Sequence, residues 1–250
     1  MDMAMLEKIV HNTEPKGSFY LPVNKRSSQI ETRFREALQL DGKWVMALVG
    51  LETYYSFPNI DSTKNNLRYS RDNGVTWHDI NVPEGCYEIS DINDYIKKIL
   101  KERGASENSI SIEPNNNTLR CVLNVAAGCK VDFTTANSLR TVLGFNAKIY
   151  AEGYNESENI VNIMSVSSLR VTNDLISGSY NNGIRGNIIY SFFPNATPGY
   201  KIIESPVNPI YLPITLNTIS RMETKLVDQD GALINLRGED LSIRFHIKQI

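Results

Sequence analysis

The chain is 250 residues long, with a formal net charge of −2, 41% hydrophobic residues and 22% charged residues. That balance excludes a disordered chain, and it lacks the basic excess of a nucleic-acid or membrane-surface binder. Cys86, Cys121 and Cys129 are odd in number and irregularly spaced, which is no disulfide framework and fits folding inside a cell. Cys121 and Cys129 could pair only if adjacent strands brought them together, and reduced, partly buried thiols are the expectation.

Met1 to Val10 carries Asp2, Glu7 and Lys8 among apolar residues, unlike a signal peptide. No apolar run approaches the ~20 residues of a membrane span. Residues 1–28 read as an N-terminal arm. His11 to Ser18 is polar and turn-rich, and Phe19, Tyr20, Leu21 and Val23 form a short apolar patch. No following element is in place to bury that patch. It is therefore the candidate assembly arm, expected to dock on a surface of its own chain or of a neighbour.

From Gln29 onward the signals are those of strands. Ile30, Thr32 and Phe34 alternate with charged residues, and Asp41-Gly42 is a hairpin turn signal. Trp44 to Leu51 is a continuous apolar run, the pattern of a strand buried on both faces. Asn73-Gly74 marks a second hairpin. Ser90, Asp91 and Asn93 offer caps to a helix whose apolar stripe is Ile92, Tyr95, Ile96, Ile99 and Leu100, ending near Gly104. Three short strands are predicted over 109–113, 119–125 and 130–133. A short helix is predicted over 137–143, stopped by Gly144. Strands follow at 160–171, 188–193, 200–204, 211–215, 221–227 and 232–236. The last, 241–247, alternates Leu241, Ile243, Phe245 and Ile247 with Ser242, Arg244, His246 and Lys248.

About a dozen short strands, two short helices and no βαβ alternation predict a mainly β protein, a jelly roll or β-sandwich with an additional β-rich region. Residues 29–250 are read as the sandwich unit, and the polar stretch at 152–159 reads either as an internal break between two β subdomains or as one long loop.

The residues that carry chemistry are scattered. His11, His78 and His246 have no neighbouring cluster with metal-ligand spacing. A Cys86–His78 nucleophile pair has nothing to orient it and no oxyanion hole. Asp228, Asp230 and Glu239 imitate the start and end of a calcium loop, but Gly231 stands at the fourth position and Leu233 and Ile234 interrupt the ligands. Glu156 and Glu158 read as a solvated loop pair. Ser177 to Gly183 is Gly-rich without the setting of a phosphate cradle, and reads as a mobile loop. Lys97, Lys98, Lys101 and Arg103 complement the end of a helix dipole. The expectation is a non-enzymatic structural protein with no catalytic residue, no metal and no cofactor.

Several phrases resemble a known family. They are Leu40–Leu51 with Tyr55–Ile60 behind it, Asn137–Phe145, Asn162–Val166, Pro198–Glu204, Ile210–Ile214, Asp228–Gly231 and Asn235–Glu239. In order and number they resemble capsid-type proteins of Polinton (Maverick) elements and their adintovirus relatives. The resemblance implies a virion in which a double-jelly-roll major capsid protein is joined by a smaller penton protein at the five-fold vertices. A chain of this length suits the penton. The implied partners are itself, as a homopentamer, and a major capsid protein, with no specific nucleic acid and no membrane span. The implied location is the virion, after folding in the host cell. The family supplies no catalytic residues. A second reading is a viral spike or a carbohydrate- or receptor-binding β-sandwich.

Overall fold

The computed structural model describes residues 17–164, 166–181 and 183–250. Three strands open it: β1 (Ser18–Lys25), β2 (Gln29–Gln39) and β3 (Trp44–Tyr54). Then come β4 (Asn66–Ser70), β5 (His78–Asn81), helix α1 (Ile89–Glu102), β6 (Ile110–Asn115), β7 (Arg120–Val125) and β8 (Lys130–Asp132). Helix α2 (Arg140–Leu143), β9 (Ile149–Tyr150) and β10 (Gly153–Glu156) complete this middle section. The rest is β11 (Leu169–Asn173), β12 (Ser179–Asn181), β13 (Ile184–Gly186), β14 (Ile188–Phe192), β15 (Lys201–Glu204), β16 (Leu212–Pro213), β17 (Thr218–Val227) and β18 (Leu241–Gln249). The chain divides into two compact units, Met1–Ser56 with Val166–Ile250, and Phe57–Ser165.

The first unit is a jelly roll, and its strand pairing proves it. β1 pairs with β18, β2 with β17, β3 with β15 and β16, and β11 with β14, all antiparallel. This is a nested series, first strand with last, working inward to a central pair. Two further antiparallel pairings, β18 with β3 and β17 with β11, join the nested pairs into two sheets. The sheet orders are β1-β18-β3-β15 and β14-β11-β17-β2. A long antiparallel ribbon rolled on itself gives this order, the double-sheet jelly roll.

Period-two patterning decides which face of each strand is inside. On β18 Leu241, Ile243, Phe245 and Ile247 are fully buried, and they sit beside Leu51, Leu48 and Met46 of β3. On the second sheet Ile30, Met222, Leu226, Leu169 and Val171 are buried in the same way. Facing sheets bury one apolar face each. The Tyr190 hydroxyl on β14 donates to Glu204 on β15 at 2.7 Å, a polar tie from one sheet to the other. The sixth strand of the roll is broken into β15 and β16, which share the same edge of β3. Pro206 and Pro209 lie in the gap, and proline cannot donate to a ladder.

The second unit is inserted in the chain between β3 and β11. It holds a β5-β4-β8-β9 sheet and a β10-β7-β6 sheet, with α1 packed on β6. Its core joins Ile92, Ile96 and Leu100 of α1 to Ile110, Ile112, Leu123, Tyr69, Phe133 and Phe145. Asn59 ties the two ends of the unit together: its amide donates to the Tyr87 carbonyl at 2.7 Å and to the Ile163 carbonyl at 2.9 Å. The Asn73-Gly74 turn has φ of 59° and 94°, the left-handed region such a hairpin needs. Gly144 ends α2 with φ 81°, and a Cβ there would stand 2.3 Å from the Asn159 carbonyl oxygen. Only glycine fits.

The structure departs from the sequence expectations at several places. Residues 18–25 of the expected arm are an integral edge strand, because β1 matches β18 residue for residue from Ser18–Lys248 to Lys25–Leu241; residues 1–16 lie outside the described residues. The expected break at 152–159 falls inside the second unit, where β10 pairs with β7. The helix is capped by Glu88 in place of Ser90, through a capping box in which the Glu88 N–H donates to Asp91 at 2.9 Å. The strand expected over 160–171 is confined to its end, β11. The strand expected over 232–236 reduces to a single bridge, Val227 with Leu233. Ser177–Gly183 is not simply a loop, since Ser179–Asn181 pairs with Ile184–Gly186. Cys121 and Cys129 are free thiols.

Candidate assembly surface

No described group of three or more His, Cys, Asp or Glu is placed to hold a metal ion. No described helix is long and apolar enough to cross a membrane. The scattered residues have local tasks. His11 lies outside the described residues. His78 packs its ring against Tyr69 at 5.5 Å, while the Cys86 thiol donates to the Phe57 carbonyl at 3.2 Å. Burial pushes the Cys121 thiol up to about 12, which leaves it protonated and inert at neutral pH. Asp228 closes its own turn by accepting the Asp230 and Ala232 N–H groups, both at 2.9 Å. Gly231 supplies φ 86° there. A carboxylate spent on its own loop explains the likeness to a calcium site.

Glu156 and Glu158 also separate. Glu156 accepts from the Asn115 amide and the Thr118 hydroxyl at 2.9 and 2.8 Å. Glu158 accepts from Tyr150, from the Asn146 N–H and from Lys148, at 2.7, 3.0 and 2.7 Å. Burial works to raise the Glu158 carboxyl, but hydrogen bonds from Lys148, Tyr150 and Asn146 prevail and bring it to about 2. Burial and the Glu158 carboxylate raise the Tyr150 phenol. The pair is a latch at the end of the second unit, beside the ring cluster of Phe133, Phe145 and Tyr150.

The four residues of the expected arm are divided by the pleat of β1. Val23 is buried. Phe19 is half-buried, with its ring 6.1 Å from Trp44, and Leu21 is half-buried. Tyr20 points the other way and is 61% exposed. Tyr20 thus belongs to the outer face of the first sheet. Register brings Tyr20, His246 and Ala47 into one row there. The His246 ring lies between two phenols, 4.8 Å from Tyr20 and 5.8 Å from Tyr211. Its Nδ1 is 2.7 Å from the Tyr211 hydroxyl. Lys248 sets its ammonium 3.8 Å over the Tyr211 ring. Burial first, and then the Lys248 charge, lower the His246 pKa and favour the neutral imidazole. The tautomer of the neutral ring decides which of Nδ1 and the Tyr211 hydroxyl donates. The sequence showed His246 and Lys248 facing outward, but Tyr211, just before β16, comes from a distant part of the chain and gave no signal.

The outer face of the second sheet is different in kind. Arg33 and Arg221 both meet Glu31, at 2.7 and 3.7 Å, and Arg221 also meets Asp174 at 3.7 Å. Lys225 meets Glu223 at 3.0 Å. Charges interlocked in this way are at home in water. One outer face of the roll carries a network of ion pairs, and the other carries an aromatic patch with cations at its border.

No protein-family model matches the chain, and no curated protein matches it. Among solved structures, the flagellar cap protein FliD of Escherichia coli, domains D2–D3, aligns over 93% of this chain and 100% of its own, with 11% identity and a TM-score of 0.15. The chain is similar to the mavirus penton protein over 94% of its own length and 100% of that chain, at 10% identity and a TM-score of 0.49.

Proposed function

We propose that the chain is a structural capsid subunit of the penton type, forming homopentamers at the five-fold vertices of a Polinton-like DNA virus beside a major capsid protein. The observation that carries this reading is the nested jelly-roll pairing with a whole β unit inserted in the chain between β3 and β11. Double-sheet jelly rolls recur in viral capsid domains, and also in lectins and cupins, so the wind alone does not choose among them. The family-like phrases favour the capsid. Leu40–Leu51 runs into β3, and Pro198–Glu204 and Ile210–Ile214 run into β15 and across β16, the two strands that pair with β3 at one edge of the first sheet. Asn137–Phe145 spans α2 of the inserted unit.

A capsid subunit works by presenting rigid surfaces, and this frame does so. The roll fixes its outer faces by two interlocked sheets, and the sheet edges are blunted against indiscriminate strand pairing. β1 carries Pro22, β15 has four residues, and the register of β2 against β17 shifts between Arg33 and Leu38. Light scattering on the purified chain, with electron microscopy of the assembled fraction, tests the reading. Rings of cyclic symmetry are expected.

A further inference from the structure

We propose that the outer face of the first sheet around Tyr20, Arg244 and Lys248 receives the β17–β18 loop of a second copy of the chain. The inference rests on the capsid reading and names the contact by which copies join. Arg244 is exposed, and its neighbours across the sheet are Pro22 on β1 and Gly50 on β3. Neither can pair with a guanidinium. Arg244 makes no hydrogen bond or ion pair with the described residues, and Glu52, a carboxylate that feels its charge, is bonded to Lys201. Lys248 rests on the Tyr211 ring and meets no carboxylate among the described residues. Two cations without an ion pair among the described residues thus border an aromatic patch topped by Tyr20.

The loop between β17 and β18 is the matching surface. Its residues 228–240 include Asp228, Asp230, Glu239 and Asp240 against the single cation Arg237. Asp228 is used by its own turn, and Asp240 meets Arg26 at 3.1 Å. Asp230, which accepts only from the neighbouring Gln229 amide among the described residues, at 3.2 Å, and Glu239 are exposed, and Leu233 between them is 49% exposed. Two carboxylates about an apolar side chain suit two cations about an aromatic patch. An apolar centre desolvates the contact, and the charges steer it and fix its register. The two surfaces are different parts of the same unit, so each copy offers one and accepts the other. Such a heterologous contact repeats from copy to copy and closes into a ring when the rotation allows.

A charge exchange tests the contact on the full chain, read by native mass spectrometry and sedimentation, with melting curves to show that every variant is folded. Arg244→Glu with Lys248→Glu should raise the dissociation constant of the assembly at least tenfold, and so should Asp230→Lys with Glu239→Lys. All four substitutions together should restore it to within a few-fold of the original. Association of the unaltered chain should weaken as salt rises. If rings form and the four-residue variant assembles no better than either pair alone, the contact is wrong and the capsid reading stands. If the reversed pairs assemble as the unaltered chain does, the contact is equally wrong. A two-fold dimer, or a monomer up to millimolar concentration, overturns both.

Discussion

Phe245 has no exposed surface and lies opposite Leu48, while its chain neighbour Arg244 is exposed on the other face of β18. The pleat alone separates their fates. Phe245→Ala removes the ring and leaves a hole, a change that costs about 3–5 kcal/mol. The total stability of a domain is typically about 5–15 kcal/mol. We expect a strongly lowered melting temperature or loss of soluble protein. Arg244→Ala should stay within about 1 kcal/mol, as exposed substitutions usually do. Similar small shifts for both would contradict the burial of β18. Glu158 carries a second residue-scale prediction. Its folded pKa of about 2 lies below the ordinary carboxylate value of 4.5, so its contribution is complete above pH about 4.5 and is lost as pH falls towards 2. Melting temperature should fall with acid over that window. Glu158→Gln should flatten the fall, and identical slopes in the two proteins would show that the latch contributes nothing.

At the scale of elements, β1 is where reading the sequence and seeing the fold diverge most. The alternation of Phe19, Leu21 and Val23 with Tyr20 and Pro22 was visible, but its partner β18 lies more than two hundred residues away, and no local pattern points to it. Deleting residues 18–25 would strip the outer partner from β18 and uncover Val23's neighbours, so we expect a large loss of melting temperature. An unchanged melting curve would return the segment to the status of a loose arm. The strands with clean apolar rhythm, β3, β17 and β18, were legible because burial on one or both faces writes itself into the residues. β10 and the β12–β13 hairpin were not. Gly153 to Glu156 and Ser179 to Asn181 are polar, and their pairing is set by the neighbouring strand. The outer-face patch was half legible: His246 and Lys248 alternate outward, but Tyr211 reaches them only through the roll.

For the whole molecule, the insertion between β3 and β11 governs what the parts can do alone. The second unit has its own core, its own sheets and ends tied through Asn59. Residues 57–165 expressed by themselves should therefore fold and melt cooperatively, read by circular dichroism; a chain without a transition would show that this core depends on the jelly roll. The central claim concerns assembly, and symmetry is its most direct measure. Native mass spectrometry of the purified chain across a concentration series, with electron microscopy of the largest species, should give closed rings of five copies. A stable two-fold dimer burying well over ~2,000 Å² would contradict the account.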